Sequence, residues 1–66
     1  MIKLETTLNH LNDLFEALGT WQAVANQIGY NRATVNKWFA GTRVPDDLSR
    51  EIVDLEHYNL VRRRRA

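Results

Sequence analysis

Three glycines, Gly19, Gly29 and Gly41, and a single proline, Pro45, divide this chain into four stretches long enough for one helix each and a short link, Thr42–Val44. A glycine just past a helix end supplies the left-handed residue that closes many helices, so this punctuation constrains the fold more than any other feature. The apolar positions agree with it. Leu8, Leu11, Leu14, Phe15 and Leu18 recur at steps of three and four, which predicts a first helix from about Thr7 to Leu18. Thr20 is a good N-cap for a short second helix, Trp21–Ile28, with Val24, Ala25 and Ile28 on its inner face. Asn31 can cap a third, Arg32–Ala40, which Gly41 stops. A fourth is expected to begin near Pro45 to Asp47, where proline suits a first turn and carboxylates favour the positive end of the helix dipole. It should carry Leu48, Ile52 and Leu55 inward and run to about Tyr58. Four helices with short connections predict an all-α fold.

Length and composition narrow the options further. Sixty-six residues allow one domain, and a chain of this size buries only about 60% of its unfolded surface. Without cysteine it can use neither a disulfide nor a cysteine-ligated zinc, which leaves tight packing or self-association. No apolar run reaches the ~18–20 residues of a membrane span, and the N-terminus lacks a signal-peptide pattern, so the chain reads as soluble and intracellular. The net charge of +1 hides a strong pattern. Residues 1–30 carry Lys3 against Glu5, Asp13 and Glu16, and residues 46–61 set Arg50 against Asp46, Asp47, Glu51, Asp54 and Glu56. Residues 31–45 hold Arg32, Lys37 and Arg43 with no acid, and Arg62 to Arg65 form a basic terminal run. Positive charge is concentrated in one inner segment and one tail. The expected organisation is therefore a domain over residues 1–61 and a basic tail over 62–66.

The stretch WQAVANQIGYNRATVNKWFA is the informative part. The small Ala25 lies four positions before Gly29, Val24 and Ile28 are apolar anchors, and Val35 and Trp38 follow the glycine. Two short helices crossing at about 90–120° approach closely only where a small side chain sits at the contact. The sharp turn between them favours glycine, because its backbone takes a positive φ. In this spacing, and in the Gly-Thr-Arg-Val-Pro stretch from Gly41 to Pro45, the chain resembles the phage Cro and repressor type of helix-turn-helix regulators. The resemblance covers Thr20–Pro45, and the flanking helices only by their apolar pattern. It implies a small four- to five-helix bundle of the lambda-repressor/Cro-like kind, a double-stranded DNA partner, a homodimer on a palindromic operator, and a bacterial cytoplasm. It also implies phosphate contacts by Thr20 and Gln22 at the start of the second helix and by Thr42 and Arg43 after the third. Together with the residues of the third helix, the full set of candidate DNA-contacting residues is Thr20, Gln22, Asn31, Arg32, Ala33, Thr34, Asn36, Lys37, Thr42 and Arg43. One departure is Trp21, which stands where many relatives have glutamine; it either packs across the helix ends or lies near the sugar-phosphate edge.

The third helix supports this reading on its own residues. With Val35 at the centre of the buried face and 100° per residue, Trp38 and Phe39 lie near it, while Ala33, Asn36, Lys37 and Ala40 lie opposite. Arginine pairs bidentately with guanine and asparagine with adenine, and small side chains let a helix approach base edges closely. A merely solvated face would more often mix Glu and Gln with Lys.

Other chemistry is less well supported. His10 and Asp13 share one helical face and Asp54 and His57 another; two well-separated pairs argue for surface polar residues rather than a metal site. No nucleophile–base constellation or phosphate-binding glycine loop is visible, so no enzyme activity and no cofactor are expected. The alternatives are an adaptor or antitoxin-like module that binds another protein through the same scaffold, and an architectural DNA binder indifferent to sequence. If the fourth helix continues to Val61, Val53, Leu60 and Val61 form an apolar edge, expected at a twofold interface or else folded back onto the first helix.

Overall fold

The computed structural model describes residues 2–65, with side chains as far as Arg63. Four helices make up the fold, α1 (Leu4–Leu18), α2 (Trp21–Ile28), α3 (Arg32–Ala40) and α4 (Asp47–Arg65), and no strand occurs among the described residues. The architecture is thus all-α, with four helices rather than five. No helix among these residues is long and apolar enough to cross a membrane.

α2 and α3 begin and end where local chemistry dictates. Thr20 Oγ1 accepts a hydrogen bond from Ala23 N at 3.1 Å, and Asn31 Oδ1 accepts from Ala33 N at 2.7 Å, so each helix has a side-chain cap. Gly29, at φ 79°, turns the chain between them, and its N–H and that of Tyr30 both donate to the Ala25 carbonyl. Any Cβ at Gly29 would meet open space, so glycine is required there by backbone conformation and not by crowding.

α1 starts three residues before the expected Thr7. Thr7 lies inside the helix, fully buried, and its hydroxyl donates to the Lys3 carbonyl one turn back. A threonine that satisfies itself against its own helix has no need to cap it. α4 extends past the expected Tyr58 and continues through Arg65, so the backbone of the basic run is helical as far as that residue. The side chains of Arg64 and Arg65, and all of Ala66, lie outside the described residues.

The core is formed by Leu11 and Leu14 of α1, Val24, Ala25 and Ile28 of α2, Val35 and Trp38 of α3, and Val53 of α4. α1 packs most extensively on α4, and α2 packs against each of the other three helices. The face of α4 is the main correction to the sequence reading. Leu48 and Leu55, expected inward, are 64% and 56% exposed, while Val53 is fully buried and Leu60 packs against the core. Val53 and Leu60 are therefore core residues and not an interface edge. Polar contacts set the rotation of α4. Asp46 Oδ1 accepts from Ser49 N at 2.8 Å, and Ser49 Oγ lies 2.8 Å from the Tyr30 hydroxyl. Arg50 donates from Nε to the Pro45 carbonyl and from Nη1 to the Ile2 carbonyl, each at 3.0 Å. These contacts turn Ser49, Arg50 and Val53 toward the other helices and leave Leu48 and Leu55 outside.

Candidate nucleic-acid interface

α3 is held from behind and left free in front. Val35 is fully buried and Trp38 nearly so, the latter with its ring edge on Tyr30 at a centroid distance of 5.1 Å. Ala33, Asn36, Lys37 and Ala40 are all exposed, as is Arg32 in the first turn. Among the described residues, no ion pair engages Arg32, Lys37 or Arg43, and no acid occurs between Thr20 and Pro45. The segment therefore presents uncompensated positive charge beside amide and methyl groups.

Trp21, left open by the sequence, has a defined place. Its ring lies 4.3 Å from that of Phe15 and 4.4 Å from that of Phe39, joining α1, α2 and α3 in one cluster of tilted aromatic rings. It is thus packed across the helix ends, and the contact with Phe39 sets the first turn of α2 beside the last turn of α3. The residues expected to contact phosphates, Thr20 and Gln22 on one side and Thr42 and Arg43 on the other, belong to those two ends. All four are exposed.

Their hydrogen bonds decide what each can still offer. Thr20 Oγ1 spends a lone pair on its cap, so its hydroxyl proton remains available to an acceptor. Asn31 likewise caps through its oxygen and keeps its amide protons. Trp21 and Gln22 keep their backbone N–H groups at the positive end of the α2 dipole, because the cap takes Ala23 N. Thr42 differs: its hydroxyl donates to the Lys37 carbonyl at 3.3 Å and must leave it to donate elsewhere. Gln22 Nε2 donates to Asn26 Oδ1 at 3.0 Å, an exposed amide pair that brings in Asn26, a residue the sequence reading passed over although its four-residue spacing was legible. Thr34 alone of the expected set is half-buried. It lines a groove of about 380 Å³ with Tyr30, Trp38, Arg43, Val44, Pro45, Asp46 and Ser49.

The histidine–aspartate pairs that the sequence reads as well separated meet across α1 and α4. The rings of His10 and His57 stack at 3.9 Å and 9°, and His57 Nε2 lies 2.9 Å from Asp13 Oδ2. His10 Nδ1 is buried, 3.4 Å from Asp54 Oδ1 yet without a well-aligned hydrogen bond. Burial and the neighbouring His57 push the His10 pKa below its usual value, against the pull of Asp54 and Asp13. Among the described residues no group of three or more such side chains is arranged to hold a metal ion. Asp46 at the start of α4 is held below the usual carboxylate range by its hydrogen bonds from Ser49, with Arg50 adding to the effect.

Comparison of the chain with known protein families, curated proteins and solved structures finds no match.

Proposed function

We propose that this protein is a sequence-specific double-stranded DNA-binding regulator of transcription, of the phage Cro/repressor helix-turn-helix type, and a repressor that binds a palindromic operator as a homodimer. In this reading α2 and α3 form the helix-turn-helix and α3 enters the major groove. Arg32, Asn36 and Lys37 face the base edges, and Ala33 permits close approach. Thr20, Gln22, Asn31, Thr42 and Arg43 position the domain on phosphates, and Thr34 supports α3 from its half-buried side. The observation that carries the reading is the outward face of α3, which is exposed, free of acid and built from side chains that pair with or pass close to bases, on a helix capped at both ends. Repression follows from occupying a promoter and excluding polymerase.

Selection of bound sites from a random duplex pool is the deciding experiment. The expected product is a short inverted repeat whose half-sites are about one helical turn apart. Binding should fall steeply as salt rises, since each neutralised phosphate releases a counterion. A pool that emerges without enrichment at any salt concentration overturns the reading. The adaptor alternative draws on one observation, the exposed apolar face of α4, and predicts duplex affinity too weak to measure at physiological salt.

A further inference from the structure

The outward face of α4 has the pattern of a helix seam. Leu48, Glu51, Leu55, Tyr58 and Arg62 follow one another at alternating steps of three and four residues, the spacing that keeps one stripe toward a partner helix. All five are exposed; Leu48, Leu55 and Tyr58 are 64%, 56% and 59% so. Leu55 and Tyr58 lie one turn apart and Leu48 two turns before Leu55, so three large exposed apolar side chains share one stripe, unlike the scattered singles normal for a surface. The charge along the stripe identifies the occupant. Asp47 and Glu51 lie toward the N-terminal end of α4, Arg62 and Arg63 toward the C-terminal end, and Leu55 lies between them. A second copy laid antiparallel about a point between Leu55 and Tyr58 sets Leu55 on the other copy's Tyr58 and Glu51 level with the other copy's Arg62. The same copy laid parallel would set Glu51 against Glu51 and Arg62 against Arg62.

We propose that two copies of this chain pair through α4, antiparallel, with the twofold axis between Leu55 and Tyr58, Leu55 of each copy packing on the other's Tyr58, and Glu51 facing Arg62 across the interface. The proposal shares with the proposed function only the claim that the chain works as a homodimer. α4 is roughly 28 Å long at ~1.5 Å per residue. A standard interface covers about 800 Å² per partner, under a fifth of this chain's 4534 Å² surface.

The test is sedimentation of the full chain without DNA, at concentrations from low to high micromolar. The parent should pass from monomer to dimer over this range, and Leu55→Asp should stay monomeric with unchanged helical content, since Leu55 supports no part of the core. Glu51→Arg and Arg62→Glu should each weaken the dimer about tenfold, and the double variant should recover most of that loss. A parent that remains monomeric throughout overturns the proposal and leaves the face to a different protein. So does a double variant no stronger than either single one, which would exclude the antiparallel register. The two readings separate cleanly. A monomeric parent that still enriches a DNA site defeats the pairing and spares the DNA reading, whereas a dimer indifferent to duplex does the reverse.

Discussion

The solvent faces of α3 and α4 are opposite in chemistry. α3 turns Ala33, Asn36, Lys37 and Ala40 outward and keeps Val35 and Trp38 behind it, while α4 turns Leu48, Leu55 and Tyr58 outward. A polar, basic face costs nothing in water and gains most against an ordered array of acceptors and negative charge. An apolar face gains by leaving water, so it is suited to another apolar face. The difference indicates that one small domain offers two separable surfaces, each kept in place by a core that uses only the inner side of each helix. Separable surfaces fail separately, and the variants below exploit that.

The largest effect should come from destroying the support common to both. Trp38 is nearly buried and contacts Tyr30, so Trp38→Ala should cost about 3–5 kcal/mol of stability, most of what a domain this size has. Urea unfolding followed by circular dichroism measures it, and both DNA binding and pairing should disappear together. Next come Arg32→Ala and Asn36→Ala, each expected to weaken specific binding by about 1–3 kcal/mol and to relax preference at different base pairs. Titration against selected and scrambled duplexes measures this, while sedimentation should show pairing untouched. Equal loss on both duplexes would move these residues from base reading to phosphate contact. Smaller again is Arg43→Ala, which should lower affinity alike for all sequences and reduce the salt slope by roughly one.

The smallest effect is a pH dependence that belongs to neither face. His10 takes a proton less readily in the folded chain than at its ordinary value of 6.5, because burial and His57 oppose the charge more than Asp54 and Asp13 favour it. The unfolded chain therefore binds the proton first as pH falls. The stability this group contributes is fully present above about pH 6.5 and declines as pH drops from there through the folded value. Urea midpoints at pH 7.5 and 5.5 should differ in the parent, and the difference should shrink in His10→Gln. Asp46 acts in a separate, more acidic window, since its lowered pKa stabilises the fold above the ordinary carboxylate value and the benefit is lost as the group protonates.

What the chain reveals before folding follows the distance over which each feature is decided. The limits of α2 and α3 are readable because Thr20, Gly29, Asn31 and Gly41 act on immediate neighbours. The outward residues of α3 are readable too, once Val35 is taken as the inner reference, with Thr34 diverging because Tyr30 and Trp38 share its groove. The rotation of α4 is not readable in this way. Leu48, Ile52 and Leu55 form the more apolar stripe, yet only Ile52 of the three packs against the core, and Val53 and Leu60 face inward because Ser49, Arg50 and His57 find partners on Tyr30, Ile2 and Asp13. Those partners are 19 to 48 residues away, and no local periodicity encodes them. The crossing of the two histidine–aspartate pairs escaped for the same reason, since it depends on the register of α1 against α4.

Arg50 holds the carbonyls of Ile2 and Pro45, and α1 packs chiefly on α4, so the first and fourth helices close the fold together. This shapes how the protein is made. The α2–α3 turn forms from residues adjacent in sequence, but Leu11 and Leu14 lack one wall of their pocket until Val53 arrives. Translation delivers about 5–20 residues per second, far slower than a helix forms, so α1 to α3 emerge from the ribosome and wait incomplete. Only release of α4 completes the domain. A nascent chain stalled before that point would expose the Leu11–Leu14 surface to chaperones and proteases, so the arrival of α4 decides whether the domain survives.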